Sequence, residues 1–356
     1  MLSLRGRRER NEAATAEPAV APTIVLHPSG LALRARAGEA LLDSALAAGL
    51  AFPHDCRAGN CATCKCRLRA GRVRELADAS YALSQDEIAA GYVLACQSVP
   101  LGDVEIEIAL DAPDAATTTT SARIVAQTPL THDIVELVVE ADAPVRYDAG
   151  QSAYLGVPAL GVERPYSFAR APRGAAHRHL HFHVRRVAGG VFSEWLHGAD
   201  RSGERLTLRG PHGAFRLHRG DAGTLVCVAG GSGLAPILAM LDEAQWAGDT
   251  RAVTLLFGAR ARRDLYELAE IDALRARWPS HFAFVPVLSQ AAADDGWDGA
   301  HGPVGERLAA LPDLADATLF LCGPPPMVDH CVARLADAGV ADGRVFVDKF
   351  LDRANG

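Results

Sequence analysis

The segment His54-Asp55-Cys56-Arg57-Ala58-Gly59-Asn60-Cys61-Ala62-Thr63-Cys64-Lys65-Cys66, HDCRAGNCATCKC, places four of the chain's eight cysteines within eleven residues. Cys56, Cys61 and Cys64 follow a C-x4-C-x2-C spacing, and Cys96 stands alone well downstream. This matches the plant-type ligand spacing of a [2Fe-2S] cluster. Four soft thiolates suit iron, and the loop must wrap the cluster with its N–H groups turned toward sulfur. Ala58, Gly59, Asn60 and Ala62 are small enough to let the backbone approach, and Arg57 offers charge against that of the cluster. A structural zinc site and buried thiols are the competing readings. Zinc knuckles usually repeat a short paired spacing on both sides of the site, and Cys96 has no such partner. Iron–sulfur ligation by Cys56, Cys61, Cys64 and Cys96 therefore leads. Cys66 is out of phase for a ligand on a strand leaving the loop; it reads as a packed thiol, as do Cys227 and Cys331.

Outward from this loop, 356 residues exceed one ordinary core, so two or three domains are expected. The composition, 49% hydrophobic and 22% charged, describes soluble globular material. A net charge of −7 without a basic stripe argues against nucleic acid as a partner. No apolar run approaches the ~20 residues of a membrane span. Residues 1–21 lack an apolar signal core and read as a disordered tail. The protein is thus expected in the cytoplasm, with cysteines as thiols or ligands.

Three blocks follow. Residues 22–111 carry a hairpin (TIVLH, LALRARA), a helix (LLDSALAAGL), the cysteine loop and a late strand (VEIEIAL). Residues 112–121, ending in TTTTS, have no hydrophobic periodicity and read as a linker. Residues 122–220 consist of short alternating runs (RIVAQ, DIVELVVEA, SAYLGV, HLHFHVRRV, ERLTLRG), which suggest an antiparallel β-barrel. In residues 221–351 apolar strands (TLVCVAGG, AVTLLFGA, FAFVPVL, ATLFLCG) alternate with helical stretches, the pattern of a parallel α/β sheet.

The second block holds Arg164-Pro165-Tyr166-Ser167 at a strand end and, some twenty residues on, Gly189-Gly190-Val191-Phe192-Ser193. A dinucleotide flavin needs an aromatic surface, a cation for phosphate and N–H donors at a helix start. Tyr166, Arg164 and the Gly189–Gly190 turn, with Ser193 helping to start the helix, supply these. In the third block Gly230-Gly231-Ser232-Gly233-Leu234-Ala235-Pro236 joins strand to helix, where glycines let a pyrophosphate approach. Pro236 takes the place of the third fingerprint glycine, as the first helical turn allows. Cys322-Gly323-Pro324-Pro325-Pro326-Met327 repeats the strand–turn–helix form at the carboxyl edge of the sheet. The plain alternatives are a surface arginine, a core tyrosine, simple glycine turns and, for Cys322, a buried strand-end thiol.

CRAGNCATC with Cys96, RPYS, GGVFS, GGSGLAP and CGPPPM, in this order, resemble the ferredoxin–FAD–NAD(P)H reductase components of bacterial multicomponent oxygenases. Benzoate dioxygenase reductase, phenol hydroxylase reductase and soluble methane monooxygenase reductase are of this kind, and the resemblance covers about Thr23 to Leu351. It implies a β-grasp-like ferredoxin domain, an FAD barrel and a nucleotide-binding domain. It implies that Arg164, Tyr166 and Ser167 hold FAD, with Ser167 near the reactive flavin nitrogen and Gly190 to Ser193, including Val191 and Phe192, on the pyrophosphate. Gly231, Ser232, Gly233, Leu234, Ala235 and Pro236 would bind the NAD(P)H diphosphate, with Cys322, Gly323 and Pro324 near the nicotinamide. Phe350 is the candidate aromatic against the flavin.

These parts form an electron converter. A nicotinamide gives two electrons as hydride, a cluster accepts one at a time, and a flavin mediates. No nucleophile–histidine–carboxylate set is required, and the histidine-rich HRHLHFH reads as a strand face. NADH is the expected donor, with NADPH as the alternative. Arg260, Arg262 and Arg263 suit a ribose phosphate, whereas the resemblance points to NADH. The expected electron acceptor is a terminal oxygenase component or its carrier ferredoxin; the alternative is a sugar-deoxygenation dehydratase. A zinc-stabilised binding module fused to a degenerate flavin domain would be colourless. A monomer is expected.

Overall fold

The computed structural model describes residues 21–36, 38–50, 52–54, 57, 59, 62–108, 117–217, 223–291 and 296–350. The chain divides into two compact units, one ending at Asp111 and a larger one from Ala112 onward that also takes in Pro53–Cys56.

In the N-terminal unit β1 (Thr23–His27) and β2 (Leu31–Arg34) form a hairpin, followed by α1 (Leu41–Ala47), β3 (Lys65–Ala70), β4 (Val73–Glu75), α2 (Gln85–Ala89), β5 (Tyr92–Leu94), β6 (Ser98–Pro100) and β7 (Val104–Glu107). The main sheet has the order β2-β1-β7-β3-β5, with β1 and β7 parallel, and β4 pairs with β6. The alternation in TIVLH turns Ile24 and Leu26 inward, where Leu41, Leu42 and Ala45 of α1 cover them. This is the mixed sheet with a packed helix expected of a ferredoxin domain.

The larger unit begins with an antiparallel barrel: β8 (Thr118–Pro129), β9 (Ile134–Arg146), β10 (Ser152–Val157), β11 (Val162–Ser167), β12 (Ala176–Arg185), α3 (Val191–His197) and β13 (Arg205–His212). The sheet order is β11-β10-β13-β8-β9-β12, and a bridge between Phe168 and Phe182 brings its two edges together. Leu137, Val139, Leu155, Phe168, Phe182 and Leu208 fill the interior. Thr118–Ser121, read above as linker, belong to β8 and pair with Thr207–Gly210 of β13. β-Branched threonines suit a strand once a partner edge is present, although a polar run carries no periodicity to reveal it.

Beyond it lie β14 (Leu225–Gly230), α4 (Leu234–Trp246), β15 (Val253–Ala259), α5 (Leu268–Arg277), β16 (Phe282–Leu288), β17 (Ala300–His301), β18 (Thr318–Gly323), α6 (Pro325–Asp337) and β19 (Val345–Lys349). All are parallel in the order β17-β16-β15-β14-β18-β19. β14 and β18 are buried at every position, as central parallel strands covered on both faces must be. α6 shows Val328, Cys331 and Leu335 to the core at helical spacing. The order turns back between β14 and β18, which makes the carboxyl ends of these two strands the switch point where open α/β sheets bind ligands. Among the described residues no helix is long and apolar enough to cross a membrane.

Candidate functional site

The cysteine loop is closed by sheet pairing. Lys65 at the start of β3 pairs with Leu94 of β5, and Ala95 N donates to Cys64 O at 3.1 Å. This register carries Cys64 and Cys96 to neighbouring buried positions, 2% and 7% exposed. Gln97 Nε2 lies 3.6 Å from Cys96 Sγ and 3.3 Å from Arg57 O. Arg57 and Ala62 adopt left-handed backbone, φ 51° and 55°, at a cost of about 1–2 kcal/mol each. Chain held in that form at two points of one loop, beside the buried Cys64 and Cys96 thiols, suits a loop that wraps an iron–sulfur cluster. The Arg57 guanidinium is engaged by Asp43 of α1, so its charge is shared with a carboxylate. Cys66 is 1% exposed within the core, as a packed thiol is. Cys56 and Cys61 lie outside the described residues.

In the barrel, β11 carries RPYS. The Tyr166 ring meets Phe192 at 5.1 Å between centroids, which joins β11 to α3, and burial raises the Tyr166 phenol pKa. Ser167 is 7% exposed, and Arg164 Nη1 donates to Glu163 O at 2.9 Å. The Gly189–Gly190 turn opens α3, whose first turn has no side-chain cap, so its leading N–H groups suit an anion. Ser193 Oγ accepts from Val187 N at 3.0 Å and donates to Gly190 O at 3.2 Å. It therefore shapes the turn. Phe192 is a core side chain, 1% exposed, that supports Tyr166, and Val191 beside it is exposed.

The two loops at the switch point pack into one another. A Cβ on Gly233 would lie 2.4 Å from Cys322 O and 2.8 Å from Gly323 N. Gly231, at φ +54°, instead faces open space, the nearest atom to an added Cβ being Arg185 Nη1 of β12 at 3.8 Å. A left-handed glycine with room beside it, near the Arg185 guanidinium that Asp133 holds at 3.0 Å, and followed by a helix start without a side-chain cap, suits a diphosphate. Ser232 in the turn before α4 and Leu234, Ala235 and Pro236 at its start are buried, so this segment offers backbone to a ligand. Cys322 is fully buried with Sγ 3.8 Å from Asp348 Oδ2. Phe350 N donates to Gly323 O at 2.8 Å, which extends the β18–β19 ladder by one residue and keeps Phe350 at the carboxyl end of β18. Arg260 is exposed at the end of the neighbouring strand β15.

Sequence reading missed a partly buried polar network joining barrel and sheet, with His183 as its buried member. Arg170 Nη2 donates to Glu136 at 2.8 Å and to Glu267 at 3.2 Å. His181 Nδ1 meets Glu136 at 3.0 Å, and His183 stands 3.5 Å from Glu267. The hydrogen bond with His181 leads the effects that hold the Glu136 carboxyl down to about 2. Glu136, His183 and Glu267 converge as metal ligands would, but the guanidinium already bridges the two carboxylates. Sequence could have offered HFH as an inward histidine, yet nothing in the order of residues pairs it with Glu267.

Cluster loop, flavin cradle and nucleotide cradle define a flavin iron–sulfur oxidoreductase. Family models agree along the chain: a 2Fe-2S iron–sulfur cluster binding domain matches residues 24–101, an oxidoreductase FAD-binding domain 121–217 and an oxidoreductase NAD-binding domain 227–333. The chain is 44% identical to the xylene/toluene monooxygenase electron transfer component XylA of Pseudomonas putida, over 93% of this chain and 94% of the other. It is 34% identical to the phenol 2-monooxygenase reductase component DmpP of Pseudomonas sp. strain CF600, over 94% and 95%. Among solved structures, the Amycolatopsis cytochrome P450 reductase GcoB superposes with a TM-score of 0.76 at 30% identity, covering 94% of this chain and all of that one. The chain belongs to the family of ferredoxin–FAD–NAD(P)H reductase components of multicomponent oxygenases.

Proposed function

We propose that this reductase draws electrons from NADH and delivers them to the oxygenase component of a ring-hydroxylating or monooxygenase system acting on aromatic hydrocarbons. The observation that carries this reading is the 44% identity with a xylene/toluene monooxygenase electron transfer component across nearly the full length of both chains. When bound, FAD accepts the electron pair of a nicotinamide and yields electrons singly to a [2Fe-2S] cluster. The residues themselves bind, orient and exclude water.

Tyr166, braced by Phe192, presents an aromatic surface to the flavin ring, with Ser167 at its edge and Arg164 toward phosphate. The amides opening α3 take the flavin diphosphate, on a turn that Ser193 shapes. Gly231 to Pro236 receive the nicotinamide nucleotide's diphosphate, while Cys322, Gly323 and Pro324 form the floor of the nicotinamide position. Phe350, tied to Gly323, shields the ring site from water. Cys56, Cys61, Cys64 and Cys96 bind the cluster. No side chain need move a proton to the substrate, which agrees with a site built from glycine, aromatic and thiol groups.

NADH as donor is supported by the family resemblance; Arg260 remains the residue to test for any response to NADPH. The buried thiols of Cys66, Cys227 and Cys331 support a reducing, cytoplasmic setting. A monomer passing electrons to a separate partner accords with the role. The test is reconstitution with NADH and an aromatic hydroxylase component, with a deoxysugar dehydratase as the comparison acceptor. Hydroxylated aromatic product dependent on this reductase is expected. Reduction of a deoxysugar dehydratase instead, with no hydroxylation, would overturn the reading.

A further inference from the structure

Behind the nucleotide loop two side chains from different elements meet. The Tyr266 hydroxyl, just before α5, lies 3.2 Å from Gly231 O and 3.3 Å from Nδ1 of His183 on β12. Both residues are 4% exposed. The other imidazole nitrogen, Nε2, is buried without a hydrogen-bond partner, 3.5 Å from Glu267 Oε1. A carbonyl only accepts, so the single tyrosine proton must point at Gly231 for that bond to form. Neutral His183 has one proton to place. On Nδ1 it supports the Tyr266–Gly231 bond but leaves the Nε2 lone pair facing a carboxylate. On Nε2 it faces Glu267 well, but Nδ1 then competes with Gly231 for the tyrosine proton. The imidazolium alone satisfies both sides.

We propose that Tyr266 is a positioning residue for the nucleotide loop, and that the protons carried by His183 decide how firmly it holds Gly231. This rests on the reading of Gly231 to Pro236 as the diphosphate cradle. The groups facing the pair come from every element around it: Glu136 on β9, His181 on β12, Arg170 beyond β11, and Glu267 at the start of α5, with Asp133 and Cys322 facing Tyr266. Burial lowers the His183 pKa from its ordinary value, against the pull of Glu267. The second proton is therefore gained on the acid side of the usual histidine range, and the hold on Gly231 tightens as pH falls.

The test is calorimetric titration of the flavin- and cluster-loaded protein with NAD+ between about pH 5 and pH 8, with visible absorbance identifying folded protein in each variant. Wild-type affinity should rise toward acid. Tyr266→Phe should bind about five-fold more weakly at the acid end and lose the pH dependence. His183→Asn, whose amide donates to Tyr266 without titrating, should keep acid-end affinity at every pH. An imidazole NMR titration should show His183 gaining its second proton over the same interval. Wild-type affinity and slope in Tyr266→Phe and His183→Asn, a slope surviving in either variant, or a His183 that stays neutral throughout would overturn the proposal. Gly231→Ala tests the underlying reading separately: unchanged NAD+ affinity there would remove the cradle itself.

Discussion

Gly233 shows how tightly one position is determined. Its missing side chain is the space into which the Cys322 carbonyl fits, and the 2.4 Å approach leaves no room for a methyl group. The atoms in the way are backbone, so neither side can yield by changing a rotamer. Gly233→Ala should destabilise the nucleotide domain by about 1–3 kcal/mol and weaken NAD+ binding while the flavin stays bound. Thermal melting with calorimetric titration checks this; wild-type values in both would mean that the two loops do not need their close contact. Cys64 and Cys66, two residues apart, divide differently. Cys64→Ser should abolish cluster assembly, whereas Cys66→Ala should retain the cluster and lose only core packing, as labile-sulfide assay and visible spectra would report.

At the scale of elements, β9 and β12 are joined to the segment before α5 through Glu136, His181, Arg170 and Glu267. Because the Glu136 carboxyl is held near 2 against an unperturbed 4.5, the folded state binds fewer protons than the unfolded one. Its stabilisation is present above about pH 4.5 and is lost as pH falls toward 2. Glu136→Gln should therefore lower the melting temperature near neutrality and flatten its fall below about pH 5. An equally steep acid limb in the variant would assign acid sensitivity to other groups. This network also marks the limit of what the sequence makes legible. Strands such as FAFVPVL and SAYLGV, and the loops at their ends, announce themselves by apolar pattern and glycine spacing. The Thr118–Ser121 pairing, the left-handed Glu267 that delays α5 to Leu268, and the partnership of His183 with Tyr266 depend on contacts between distant segments. No local pattern encodes those. The candidate site residues stand in motifs that the sequence displays, but the packing of Phe192 against Tyr166 and the hydrogen bonds by which Ser193 shapes its turn depend on the folded chain.

For the whole molecule, the order of domains is the order of an electron relay in reverse, with cluster first in sequence and last in transfer. Splitting a hydride pair into single electrons requires the flavin to stand between the other two cofactors. Cys61→Ser should then abolish cytochrome c reduction and spare NADH-driven ferricyanide reduction, which draws on flavin directly. Loss of both activities with FAD still bound would place the cluster elsewhere in the path. The most direct measurement is an anaerobic titration of iron- and sulfide-replete protein with NADH, followed by visible and electron paramagnetic resonance spectra. Full reduction should take about 1.5 equivalents, two electrons for flavin and one for the cluster, and Cys64→Ser about 1.0 without a cluster signal. A wild-type protein that stops at about 1.0 with its cluster still oxidised would contradict the relay.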